Sequence, residues 1–110
     1  MSRRMRVLVW YRCPKPDLDD FVATYHAISA QLAGVPGLLG SELLRAHREE
    51  GSLVVMSEWE SAEAFAAWEA GHGTTTEPLR RYADITRPYR FELYQILTSV
   101  PSRGVGVREG

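Results

Sequence analysis

Over residues 52–68 the hydrophobic pattern of this chain changes period with almost no linker. Ser52-Leu-Val-Val-Met-Ser-Glu-Trp59 reads as a half-buried strand. After only Glu60 and Ser61, the run Ala62-Glu-Ala-Phe65-Ala-Ala-Trp68 spaces its large apolar residues three apart, as one face of a helix does. Ser61 is placed to cap that helix by offering its hydroxyl to an unpaired backbone N–H of the first turn. A strand that ends in a tryptophan and turns at once into an amphipathic helix points to helices packed on a sheet.

The rest of the chain extends this pattern. Residues 5–13 form an expected first strand, with Val7, Val9 and Tyr11 on one face and Leu8 and Trp10 on the other. Apolar residues on both faces suit an interior strand covered on both sides. Pro14 and Pro16 end it. Asp17 then precedes a helical stripe of Leu18, Phe21, Val22, Tyr25, Ile28, Ser29 and Leu32, with Asp19 and Asp20 favourably set against the positive end of the helix dipole. Gly34 suits the position just past the helix end, and Pro36-Gly37 forbids continuation. Residues 38–46 and 52–59 read as a strand pair joined by the polar turn His47-Arg-Glu-Glu-Gly51. The second helix is expected over 62–70 and broken by Gly71-His72-Gly73. A brief helix is expected over 79–83, with Thr76 and Pro78 at its start, and a last strand over 90–98.

The order β-α-β-β-α-β is that of a ferredoxin-like α+β domain, in which helices cover one face of a four-stranded antiparallel sheet. The division expected is a domain over residues 1–98 and a flexible or partner-wrapping tail over 99–110, a stretch with glycines, Ser and Pro but no core pattern. The strand faces carry too many Leu, Val, Met and aromatic side chains for one face to be left in water. A homodimer with two sheets face to face is therefore expected.

Composition excludes several functions. With 110 residues the chain is one domain, and a net charge of −1 gives no field to recruit nucleic acid. Twelve of its 13 basic residues are Arg and asparagine is absent, a bias that reads as a GC-rich bacterial genome rather than as arginine chemistry. A single cysteine, Cys13, allows no internal disulfide and fits a reducing, cytoplasmic setting. The apolar run after Arg6 is too short for a secretory segment, and no run is long enough to span a membrane. Three scattered histidines and one cysteine give no zinc or iron ligand spacing, so no metal is expected. No nucleophile elbow and no dinucleotide-binding glycine motif occurs in a strand-to-helix setting.

The Pro36-Gly-Leu-Leu-Gly40 step, the Trp59-Glu60-Ser61 corner, Phe65, Trp68 and the Leu79-Arg80 pair resemble the antibiotic biosynthesis monooxygenase family over about residues 7–97. The resemblance implies a dimeric α+β barrel. Some members oxidise phenolic or anthrone-type aromatics to quinones with molecular oxygen and no cofactor, others degrade haem, and many have no known activity. It implies that Trp59 stands where the quinone-forming members place a tryptophan beside the substrate. Its indole there offers a flat wall and an N–H donor, or else it plugs the corner. Arg80 matches, with a one-residue gap, an arginine that would stabilise a phenolate or peroxide oxyanion, or else it is a solvated helix residue beside Arg81. Two positions depart from the quinone-forming pattern: Val55 stands for an asparagine and Phe65 for a tyrosine. In the haem-degrading branch Trp68 matches, but the axial histidine falls at Pro78, which cannot ligate iron, and the strand-one asparagine is missing.

Groups that could handle a proton in place of the missing amide and phenol are His72, His26, Tyr25, Tyr11 and Tyr82. Histidine is the side chain best matched to taking a phenolic proton near neutral pH. His72 lies between glycines, at a pocket mouth or in open solvent, and His26 is off the apolar stripe of its helix. The expected substrate is a small aromatic of polyketide type, held by Tyr11, Tyr25, His26, Phe65, Trp68 and Tyr82, with Trp59, Arg80 and His72 serving the reaction and no cofactor required. Oxygenation is the leading reading. A non-oxidative cyclase or isomerase on the same fold, and a non-catalytic dimeric metabolite-binding module, are the alternatives.

Overall fold

The computed structural model describes residues 3–72 and 74–101, without the side chain of His72. Its elements are β1 (Met5–Arg12), a single 3₁₀ turn (Lys15–Asp17), α1 (Leu18–Leu32), β2 (Leu38–Arg45), β3 (Ser52–Trp59), α2 (Ala62–His72), a longer 3₁₀ helix (Glu77–Tyr82) and β4 (Glu92–Gln95). The four strands form one sheet in the order β2-β3-β1-β4, antiparallel throughout. This is the split arrangement expected, with β1 inside the sheet. The expected tail falls mostly on residues 102–110, outside the described residues.

Register decides what each sheet face carries. Across β1 and β3, Met5 pairs with Trp59, Val7 with Ser57, Val9 with Val55 and Tyr11 with Leu53. Side chains alternate along a strand, so these eight share one face. The helices cover it, and the residues there are buried or half-buried. Two clusters form beneath the helices. One gathers Tyr11, Cys13, Phe21, Ile28, Leu53, Leu79 and Tyr82; the other gathers Met5, Val7, Trp59 and Phe65. Phe21 is fully buried, and its ring meets Tyr11 and Tyr82 edge-on at 5.2 and 5.3 Å.

Two boundaries and one cap differ from the sequence expectation. The second helix runs through Gly71 to His72, because one glycine near a helix end costs only about 1 kcal/mol relative to alanine. The last strand covers Glu92–Gln95 only, pairing with β1 from Met5 to Leu8. The remaining edge of β1 is taken elsewhere: Ala83 bridges to Tyr11, and the Asp84 N–H donates to the Trp10 carbonyl at 3.1 Å. Asp17 sits at the N-cap of α1 without capping it through its side chain; its Oδ2 instead accepts from the Tyr82 hydroxyl at 3.0 Å.

The connection from α1 to β2 is a tight turn in which Leu38 N–H donates to the Val35 carbonyl at 3.1 Å and Gly37 has φ +87°. That is the geometry of a type II turn, with Pro36 and Gly37 at its two central positions. The Gly37 carbonyl also accepts from Glu60 N–H at 2.8 Å, tying the turn to the β3–α2 corner. A Cβ at Gly37 would collide with the Cβ of Ala64 on α2. Gly37→Ala is therefore expected to lose about 2–4 kcal/mol, from the left-handed backbone and the overpacking together, as read by urea denaturation. Gly40→Ala, where the added carbon meets nothing within 4 Å, serves as the control.

Candidate functional site

Where the two core clusters meet, the space between sheet and helices stays open as a cavity of about 310 Å³. Its floor is the helix-facing side of the sheet: Val7, Val9, Tyr11, Ser41, Val55, Ser57 and Trp59. Tyr25, Ile28 and Leu32 of α1 and Phe65, Trp68 and Glu69 of α2 form its walls. A third side comes from residues 76–91, including Leu79, Arg80, Asp84, Arg87, Arg90 and Phe91. The Ala83 bridge anchors this segment at one end. At the other, Phe91 meets Phe65 edge-on at 5.3 Å. Trp59, Phe65 and Trp68 form an aromatic wall with centroid separations of 5.4, 5.7 and 6.2 Å.

Six of the nine residues expected in a site line this cavity: Trp59, Arg80, Tyr11, Tyr25, Phe65 and Trp68. Trp59 is 2% exposed, and its indole N–H, expected to reach a substrate oxygen, donates instead to Ser57 Oγ at 2.9 Å. It is both corner plug and cavity wall. Arg80 lies at the rim, with Glu77 Oε1 3.7 Å away and both side chains more than half exposed. Tyr11 reaches the floor, and Trp10, whose ring lies under the Arg87 guanidinium at 4.0 Å, also borders the cavity. Val55 and Phe65 make apolar wall where a side-chain amide and a phenol were the alternatives.

Two expected residues stand elsewhere. His26 is exposed, its ring 5.6 Å from that of Tyr25. Tyr82 is buried in the core beside Phe21 and Asp17, away from the cavity lining. The side chain of His72 is outside the described residues, although its backbone closes α2 three residues beyond Glu69.

Sequence reading missed Ser57, Ser41, Glu69 and Arg90. Ser57 had a legible signal, since it shares strand parity with Val55 and Trp59 and is the polar residue on an otherwise apolar stripe. Ser41 is its direct partner across the β2–β3 ladder, and its hydroxyl shares a 2.9 Å hydrogen bond with that of Tyr25. Arg90 and Glu69 carry no such signal, because which way a residue next to a strand or late in a helix faces depends on tertiary placement. Among the described residues the lining holds no imidazole to ligate haem iron, and no group of three His, Cys, Asp or Glu is placed to hold a metal ion. No described helix is long and apolar enough to cross a membrane.

Comparison with known proteins adds to this geometry. The model of the antibiotic biosynthesis monooxygenase family matches residues 5–73. The chain is 29% identical over 92 residues to the 42.8 kDa protein in the whiE locus of Streptomyces coelicolor. It is 27% identical over 92 residues to protein SchA of Streptomyces halstedii. Each alignment covers 82% of this chain, which spans about a quarter of the length of these curated relatives (23% and 24%). Among solved structures it is similar to SnoaB, a cofactor-independent oxygenase from Streptomyces nogalater, with TM-score 0.69 and 20% identity over 93% of this chain and 100% of that one. It is similar to a haem-degrading protein from Mycobacterium tuberculosis as well, with TM-score 0.68 and 19% identity over the same shares. At such identities the structural likeness speaks for the fold alone.

Three acids beside the cavity and in the core below it hold their protons more tightly than usual. Burial pushes the Tyr11 phenol up, with the Arg90 guanidinium partly opposing. Burial and the hydrogen bond to Asp17 push the Tyr82 phenol up. Burial, then the Asp17 charge, raises the Cys13 thiol. All three are protonated and uncharged at neutral pH, so Cys13 is a packing residue and Tyr11 a hydrogen-bond donor. In each case the folded state holds its proton more tightly than the unfolded one. The stability this gives is complete below the ordinary values of 9.0 for the thiol and 10.0 for the phenols, and is lost as pH rises through the folded values. The urea midpoint is accordingly expected to fall above about pH 9, and to fall less steeply in Tyr82→Phe.

Proposed function

Because the chain belongs to the antibiotic biosynthesis monooxygenase family, we propose that the cavity takes a small phenolic or anthrone-type aromatic of polyketide origin and that the protein oxidises it with molecular oxygen, without a cofactor. The observation that carries this reading is the aromatic wall of Trp59, Phe65 and Trp68 facing a floor with few polar groups. Such a site binds a flat ring by apolar burial and fixes its orientation through a handful of hydrogen bonds. Loss of a phenolic or benzylic proton leaves an electron-rich anion that reduces oxygen directly. The resulting peroxide collapses to quinone and water. Arg80 at the rim stabilises the anion as it forms, Tyr11 donates a hydrogen bond to the developing oxyanion, and His72 takes the proton. The protein thus supplies orientation, desolvation and charge stabilisation.

A second reading rests on Val55 and Phe65, which leave the wall without an amide or a phenol at those points. The same pocket then serves a non-oxidative cyclase, which needs the acid–base groups but not the control of peroxide. Oxygen uptake with a simple anthrone, in metal-free buffer without flavin, separates the two. The oxygenase reading expects uptake and quinone formation well above the spontaneous rate. Arg80→Ala is expected to lose about 10²-fold, and His72→Gln about 10²- to 10⁴-fold. No uptake above background, with the anthrone bound, favours the cyclase.

We further propose that the domain works as a homodimer through the sheet face away from the helices. Register lines up Leu44, Val54 and Trp10 there, next to Met56 and Leu8. Leu44 is 40% exposed and Tyr94 53%. A second copy of the same face would bury this band isologously. Light scattering is expected to give twice the 12.4 kDa chain mass, and Leu44→Glu to give the monomer.

A further inference from the structure

The floor of the cavity carries two hydroxyls side by side. Ser41 and Ser57 are direct partners across the β2–β3 ladder, on the helix-facing side, and both line the cavity. Each is held by an aromatic side chain: Trp59 Nε1–H donates to Ser57 Oγ, and the Tyr25 hydroxyl shares a hydrogen bond with Ser41 Oγ, both at 2.9 Å. A serine hydroxyl has one proton to give and two lone pairs to receive. The indole fills one lone pair of Ser57. Among the described residues Ser57 Oγ donates its proton to nothing, so that proton is available to an oxygen in the cavity.

The spacing then selects the ligand. Opposed residues of an antiparallel pair have Cβ atoms about 4.5–5.5 Å apart, close to the separation of two oxygens attached meta to each other on one aromatic ring. We infer that Ser57 and Ser41 form a paired oxygen-binding subsite that selects aromatic substrates carrying two meta-related hydroxyl or carbonyl oxygens on the ring at the sheet floor. This deepens the aromatic-substrate reading above and rests on it. The pair stands close to Val55, which precedes Ser57 by two residues on the same stripe of β3, and takes over the polar role that this position leaves empty. Trp59 enters only through Ser57: its N–H orients the hydroxyl, and its ring stays wall.

Anaerobic equilibrium dialysis with naphthalene, naphthalene-1,3-diol and naphthalene-1,5-diol tests the subsite without any turnover. The 1,3-diol is expected to bind about tenfold more tightly than naphthalene, the sum of two modest hydrogen bonds, and about threefold more tightly than the 1,5-diol, which offers the pair only one oxygen. Ser57→Ala is expected to remove most of that preference while leaving naphthalene affinity unchanged, and Ser57→Thr, which keeps the hydroxyl, to retain it. Because Ser57→Ala leaves a buried indole N–H unpaired and can cost stability, Ser41→Ala at the exposed member of the pair provides the second variant, with a smaller loss of the same preference. Naphthalene binding without preference for the 1,3-diol, or an equal loss for all three ligands in Ser57→Ala, overturns the subsite and leaves the aromatic pocket standing. Failure of all three to bind overturns both.

Discussion

The burial of Trp59 is the contact on which the other parts of this structure depend. Its indole closes the end of β3, lies 3.9 Å from the space a side chain at Gly37 would need, and packs against Phe65 and Trp68 one and two turns into α2. A helix that starts two residues after a strand has a large choice of directions. Fixing one large ring beneath its first turns removes that choice, because the apolar area gained is lost in any other orientation. The Ser61 hydroxyl, accepting from Ala64 N–H at 3.1 Å, starts the helix, and the Glu60-to-Gly37 bond ties the corner to the neighbouring turn. The placement of α2, and with it one wall of the cavity, follows from these contacts.

Competition for the edge of β1 supplies another wall. Only the first half of that edge pairs with β4; Ala83 and Asp84 occupy the second half. A backbone edge inside a fold must be paired, since an unpaired buried N–H or C=O costs about 1–3 kcal/mol. Had β4 been long enough to fill it, the residues between the 3₁₀ helix and β4 would have no anchor beside Tyr11. As it stands, they are held at Ala83 and at Phe91 and close the side of the cavity with Asp84, Arg87 and Arg90. Asp84 is itself secured by the Thr86 hydroxyl, which holds its carboxyl below the usual range.

The cavity is therefore made of packing residues, and its chemistry is sparse. Trp59, Phe65 and Trp68 serve the core and the wall at once, so the cavity is bounded by surfaces that the fold already requires. The polar groups sit at separate points: serines and Tyr25 toward β2, Tyr11 on the floor, Glu69 on α2, and Arg80, Asp84, Arg87 and Arg90 along the third side. The proposed flat aromatic ligand, with a few oxygens, suits polar points that are spread apart in this way.

Much of the fold was legible because it depends on local periodicity. The alternation in residues 5–13, the stripe from Leu18 to Leu32 and the abrupt corner at Trp59 are properties of neighbouring residues, and so are the capping Ser61 and the turn at Pro36-Gly37. Strand order followed from element order. Of the cavity lining, Trp59, Phe65 and Trp68 were legible, since a large ring on a helix-facing stripe has few other places to go. The sequence did not separate Tyr11 and Tyr25, which reach the cavity, from Tyr82, which packs into the core against Phe21 and bonds Asp17. Nor could it join Ser41 to Ser57, sixteen positions apart, because only the β2–β3 register makes them neighbours. What the chain determines by itself is which elements form and which faces are apolar, through interactions within a few residues. Which polar groups converge is decided by register and by the competition for β1's edge, and these exist only once the sheet has assembled.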